Sequence, residues 1–233
     1  MWYQGEEEQP LKPGRCPMPV PIICLDEEVR YFAQRFQNLF SKPQYQYLVT
    51  VLLGLMECEG RRTLSDLLRQ MGAGPSLAGL SRFLSQAPWE AKAVVECPLR
   101  HFRETMQPQV AAELQRQRQE QPKHPGRPKQ PVLTGYLIGD DSTMHKPKGK
   151  KMQGLGQHHS TTEGKRIRGH SMVQSLYVLL ARCCPLAPQL YRQQKVCEAE
   201  DVPFASKIAL MEALIRTFEP VAGTVTHVEL PTW

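Results

Sequence analysis

The sequence predicts an α+β chain, a helical N-terminal domain followed by a sheet domain. Three observations carry this reading. Apolar residues recur at helical spacing from Val29 to about residue 120. A segment with four prolines, residues 121–131, then breaks the pattern. Beyond it, short apolar runs rich in β-branched and aromatic residues alternate with Gly-rich stretches, and one amphipathic helix precedes a last strand. The chain of 233 residues thus divides into an irregular leader (1–25), a helical domain (26–120), a Pro-rich basic linker (121–131) and a sheet domain (132–233).

The leader is rich in Pro and Glu and shows no periodicity. Asp26 with Glu27 and Glu28 marks a helix start, because acids in a first turn complement the helix dipole. Val29, Phe32, Ala33 and Phe36 continue it, and Ser41-Lys42-Pro43 stops it. Tyr47, Leu48, Val51, Leu52, Leu55 and Met56 line a second helix. Two short helices then flank Gly72-Ala73-Gly74-Pro75, with Thr63 and Ser76 as caps. Leu64, Leu67, Leu68 and Met71 form one stripe; Leu77, Leu80, Phe83 and Leu84 form the other. This outline fits a helix-turn-helix and equally a plain helical bundle, and Arg82 is the one basic side chain of its second helix. Trp89 to Glu120 is helical, with interruptions expected at Pro98 and Pro108 and a polar tail expected to project from the core.

In the back half, Leu133 to Ile138 reads as a buried strand, Gln153 to Ser160 as a second and Gly169 to Arg182 as a third. Pro185 to Gln193 reads as an edge segment, since proline tolerates only an edge. Phe204 to Phe218 is an amphipathic helix with Ile208, Met211, Leu214, Ile215 and Phe218 on its apolar face, and Thr224 to Leu230 is a last strand. No apolar run reaches 18 residues, so no membrane helix is expected, and the acidic N-terminus lacks signal-peptide order. Seven unpatterned cysteines read as free thiols, with Cys183-Cys184 as buried and inert. These features place the chain in the cytosol.

The net charge of +6 is unevenly placed. Between Lys123 and His170 stand ten basic and three acidic residues, a net of +7; the other 185 residues carry 19 basic and 20 acidic groups, a net of −1. Such a localised excess marks a phosphate-facing surface, the bland alternative being a solvated loop. Its members include Lys146, Lys148, Lys150 and Lys151, then Lys165, Arg166 and Arg168 in Gly164-Lys-Arg-Ile-Arg-Gly169, which reads as a turn between strands. Arg127 and Lys129 flank Pro128 in a Gly-Arg-Pro core, which has the look of a minor-groove hook and also of an ordinary linker.

Within this window stand two adjacent carboxylates, Asp140 and Asp141. Carboxylates at a strand end collect hard divalent cations, and clustered lysines collect phosphates. Phosphodiester chemistry requires both. Neighbouring strand residues point to opposite faces, so only one of the pair can face a site. The competing reading is that Asp140-Asp141-Ser142-Thr143 closes the strand with an Asx-type turn. His158-His159 have no Cys or His partner at zinc spacing and read as structural or DNA-facing.

Ile138-Gly-Asp-Asp-Ser, Lys146-Pro-Lys-Gly-Lys-Lys, Gly154-Leu-Gly and Gly164-Lys-Arg-Ile-Arg-Gly-His together resemble the first catalytic block of DDE transposases of bacterial insertion sequences. The resemblance spans roughly residues 80–228. It implies a ribonuclease-H-like catalytic domain, here incomplete. It also implies double-stranded DNA at transposon ends as substrate, and homo-oligomers or a full-length transposase as partners. In that family the Asp before the Thr or Ser is catalytic, which carries over to Asp141, with Asp140 as its neighbour at the metal. An Asp-Asp-Glu triad there holds two Mg2+ ions. The second Asp is expected at the end of the strand after the 204–218 helix, where this chain reads Thr226-His-Val-Glu-Leu-Pro-Thr-Trp. Glu229 stands near that place but outside the pattern, and the later Glu has no counterpart. The sequence expectation is therefore a truncated transposase that does not cut DNA by itself. The alternatives are a non-catalytic DNA-binding regulator of transposition and a basic scaffold without a DNA role.

Overall fold

The computed structural model describes residues 27–58, 63–69, 71, 74–120 and 130–230. The expected Asp26 cap and the Arg127–Lys129 hook lie outside them. The chain divides into two compact units, Met1–Glu90 and Ala91–Trp233.

The first unit holds α1 (Glu27–Gln34), a 3-10 turn (Gln37–Leu39), α2 (Lys42–Glu57), α3 (Leu64–Arg69) and α4 (Leu77–Gln86). Ser41-Lys42-Pro43, expected as a stop, also begins the next helix: Ser41 and Gln44 form a reciprocal capping box and Pro43 sits in the first turn. Thr63 and Ser76 both cap as expected, accepting from the amides of Asp66 and Gly79. The core of this unit is aromatic. Phe83 stacks against Tyr47 and Trp89, at 5.5 and 5.9 Å between ring centroids, and Trp89 Nε1 donates to the Phe83 carbonyl. The helix-turn-helix outline is present as two helices, with Leu67, Leu80 and Phe83 buried between its stripes, while Leu77 and Leu84 stay exposed.

The second unit opens with α5 (Ala91–Glu120), which the sequence grouped with the front helices but which packs on the sheet. Its expected interruptions are absent. One 30-residue helix runs through Pro98 and Pro108. Each proline removes one backbone hydrogen bond; burial of Cys97, Met106 and Val110 beside them holds the helix together. Nor is the tail all solvent-facing, since Leu114 packs against the core.

Six strands follow: β1 (Leu133–His145), β2 (Gly156–Ser160), β3 (Lys165–Leu179), β4 (Arg182–Pro185), β5 (Gln189–Tyr191) and, after α6 (Gln194–Glu200) and α7 (Lys207–Thr217), β6 (Thr224–Glu229). β3 is the centre. On one edge it pairs antiparallel with β1 from Gly169 to Val178. Its residues 165–169, 171–173 and 176–179 pair with β2, β5 and β4, which must therefore take the other edge in series. β6 lies parallel beside β1. The result is a mixed sheet that runs from the β2, β5 and β4 series through β3 and β1 to β6.

Two strand readings need correction. β1 does not stop at Ile138 but continues through both aspartates to His145, so no Asx turn closes it. The basic segment 165–168 is not a turn but the start of β3; the turn is at 161–164. In both cases pairing partners extend the strand: Asp140 to His145 face Gln174 to Gly169, and Lys165 to Arg168 face Ser160 to Gln157. A polar sequence hides a strand whose ladder is completed by its neighbours.

Alternation along β1 turns Leu133, Leu137 and Gly139 inward and Thr134, Tyr136 and Ile138 outward. The inner face meets α5 and the segment after α7. Tyr177 is fully buried there, edge-on to Phe102 and Phe218 at 5.7 and 4.8 Å, with its hydroxyl accepting from the Val221 amide. On the outer face Tyr136, Ile138 and Val225 stay exposed. Two smaller readings fail on burial: Ile208 points to solvent rather than into the core, and Cys183 is exposed while Cys184 is buried. Adjacent strand residues face opposite sides, so a Cys-Cys pair in a strand cannot be buried as one.

Candidate active site

The two aspartates separate as strand geometry demands. Asp140 lies on the outer face and is exposed; its Oδ1 accepts from the Asp141 amide at 2.7 Å. Asp141 lies on the inner face, in line with Leu137 and Gly139, and is partly buried. Its carboxylate accepts from Lys207 Nζ, the first residue of α7.

Gly139 explains how that helix reaches the carboxylate. A Cβ there would overlap Met211 Cε and lie 2.9 Å from Leu230 Cδ2. Met211, 1% exposed, therefore seats over the bare backbone of Gly139. One turn back along α7 lies Lys207; two residues on along β1, on the same face, lies Asp141. Ser206 caps the helix by accepting from the Ala209 amide. The Lys207 ammonium also lies over the Tyr191 ring of β5, 5.5 Å from its centroid.

His158 of β2 belongs to the same face and is 6% exposed, edge-on to Tyr191 at 6.0 Å. Its Nε2 has no hydrogen-bond partner among protein atoms. Burial, then the charges of Lys207 and His170, push its pKa below the ordinary value of 6.5. Between the folded and unfolded values, the unfolded chain takes up a proton that the fold refuses. The contribution is therefore intact above about pH 6.5 and lost as pH falls toward the lower folded value. Urea midpoints are expected to drop between pH 7 and pH 5, and the drop to shrink in His158→Leu. An equal drop in the variant would assign it to another group. Its neighbour His159 is exposed on the other face.

The basic residues form a separate group. Lys148, Lys150 and Lys151 are exposed in the loop between β1 and β2, and Lys165, Arg166 and Arg168 are exposed at the start of β3. Lys146 is half-buried, and its amide extends the ladder to the Arg168 carbonyl at 2.8 Å. Glu163 ties this hairpin to His145 and Lys165 at 3.1 and 3.3 Å. Val173, opposite Asp141, is five residues from Arg168, or about 17 Å at ~3.4 Å per residue. The structure thus brings Asp141 to Lys207, His158 and Tyr191, not to the lysines with which it shares a sequence window.

The β1–β6 register leaves Glu229 away from Asp141. It pairs with Ile138, three residues earlier and on the outer face. Nor do other donors gather: among the described residues no three His, Cys, Asp or Glu side chains cluster as a metal site.

A family model described as DDE superfamily endonuclease matches residues 35–207, about three quarters of the chain. The chain belongs to the DDE superfamily endonucleases. No curated protein and no solved structure matches it significantly. The match takes in β1 to β5 with the basic hairpin and reaches Lys207, the lysine on Asp141. DDE endonucleases generally use divalent metal ions. The described residues of this one do not fit such a group by themselves, since they offer one inward carboxylate, already paired to an ammonium. Among the described residues no helix is long and apolar enough to cross a membrane.

Sequence reasoning missed Lys207, Tyr191 and the inward turn of His158. One signal was legible: a lysine directly after the Ser206 cap opposes the helix dipole and needs an anionic neighbour.

Proposed function

We propose that this DDE endonuclease serves DNA transposition as the transposase of a bacterial insertion sequence, with Asp141 as its first catalytic carboxylate and the 146–168 hairpin as its grip on duplex DNA. The observation that carries this is the placement of Asp141 at the inner face of the central strands, in a sheet whose end, about 17 Å further along β3, carries an exposed basic hairpin. Asp140 supports Asp141 by accepting from the Asp141 amide rather than as an inward donor. The spacing of about 17 Å along β3 corresponds to roughly five base pairs at ~3.4 Å per step along one strand. Contact through Lys148, Lys150, Lys151, Lys165, Arg166 and Arg168 would hold the flank of the cut site rather than the scissile phosphate. Arg127 and Lys129 would add phosphate contacts to the same duplex. The setting is a bacterial cytoplasm, and the partner a second transposase chain.

In the superfamily, bound divalent ions activate the attacking oxygen and stabilise the leaving one. Asp141 would hold such an ion only together with carboxylates that the described residues do not supply. A polypeptide of these 233 residues is therefore expected to bind duplex DNA without cutting it. The same single carboxylate favours a second reading for this polypeptide, a DNA-binding regulator of transposition. Fluorescence anisotropy with a labelled duplex at 50–200 mM salt, as rough bounds, should show affinity falling steeply with salt. A flat response would remove the DNA role. Incubation with supercoiled plasmid and Mg2+ should leave the plasmid intact; nicking that disappears in Asp141→Ala would overturn the reading of a non-cutting chain.

A further inference from the structure

We propose that Lys207 is the resident cation of the Asp141 carboxylate, and that it closes this oxygen pair to divalent ions. The consequence for metal chemistry rests on reading Asp141 as the first carboxylate; the ion pair itself is tested separately.

Three independent features hold the ammonium in place. The pair is shielded, with side chains 30% and 25% exposed, so bulk water screens it only in part. The Tyr191 ring lies under the ammonium at 5.5 Å, and Tyr191 is fixed by the pairing of β5 with Ser171 of β3. The backbone of Lys207 is fixed by the Ser206 cap behind it and by Met211 over Gly139 ahead of it. A lysine at the first position of a helix works against the dipole, whose positive end lies there. That placement is tolerable because Asp141 receives both the ammonium and the helix end. Together they outweigh one carboxylate, so an incoming divalent ion meets a site already neutralised and positively framed. Metal entry at Asp141 requires the ammonium to leave, and Lys207 thereby acts as a positioning residue that sets when the carboxylate is free.

The test uses the whole chain and Mn2+ as probe. Paramagnetic broadening of the backbone amides at residues 139–143 is followed by NMR as Mn2+ is added. Lys207→Met should show half-broadening at a Mn2+ concentration at least tenfold lower than wild type, and the effect should vanish in Lys207→Met/Asp141→Asn. Equal sensitivity of wild type and Lys207→Met would overturn the proposal. Urea midpoints of the two single variants and the double complete the test. The double should lose no more than the worse single, whereas additive losses would mean that the pair is not coupled. Should Lys207→Met fail to fold, Lys207→Gln takes its place in both measurements, and Lys207→Arg should keep the wild-type Mn2+ response. A flat response in the salt titration would sink the functional reading and leave this pair intact.

Discussion

Gly169→Ala is expected to destabilise the second unit by about 3 kcal/mol or more, and Gly169→Val to leave it unfolded. Gly169 is where three strands run side by side: it pairs with His145 of β1 and with Gly156 of β2. A Cβ there would overlap the backbone carbonyl oxygen of Met144 and lie 2.9 Å from its carbonyl carbon. No rotamer change relieves a clash with backbone, so the β1–β3 ladder must part. Overpacking that side chains can absorb costs ~1–3 kcal/mol, and here they cannot absorb it. Against a total of about 5–15 kcal/mol for a domain, that is a large share. Gly164→Ala is the control. Nothing lies within 4 Å of its Cβ, and only its φ of +61° is strained, at a cost of roughly 1 kcal/mol. Urea unfolding followed by circular dichroism checks both. A midpoint in Gly169→Ala equal to wild type would mean that the strands do not run as close as described.

Replacing Lys148, Lys150, Lys151 and Lys165 together by Gln is expected to lower duplex affinity at least ~100-fold at low salt. If all four meet phosphates, the slope of log K against log salt should flatten by about 3–4, at roughly 0.9 per phosphate contact. All four are exposed. The one ion pair lost is the surface contact of Lys165 with Glu163, and such pairs contribute ~0–1 kcal/mol. The fold should therefore stand, so that a lost affinity reports on the surface itself. An unchanged salt slope would move the DNA-binding surface elsewhere on the molecule. Gly169→Ala connects the two predictions, since parting β1 from β3 disrupts the hairpin that carries these lysines.

Much of the architecture was legible because burial imposes a period. The stripes of the front helices and the inward alternation at Leu133 to Gly139 follow from which residues must leave water. Elements went astray where a neighbour supplies what the sequence lacks. The Asp140–His145 stretch is polar, and β3 makes it a strand. Pro98 and Pro108 argue for breaks, and the core under α5 holds one helix across them. Ile208 fits an apolar helix face, yet α7 rotates to seat Met211 over Gly139 and leaves Ile208 in solvent.

The site divides along the same line. By itself the sequence determined that a carboxylate pair stands within a chain segment of net charge +7, and that only one of the pair can face inward, because successive strand residues diverge. Only the tertiary structure decided what Asp141 meets. Its partner, Lys207, is 66 residues away in sequence. No local pattern links them. What links them is a glycine small enough for a methionine to cross it, and a helix whose first turn is thereby delivered to the carboxylate.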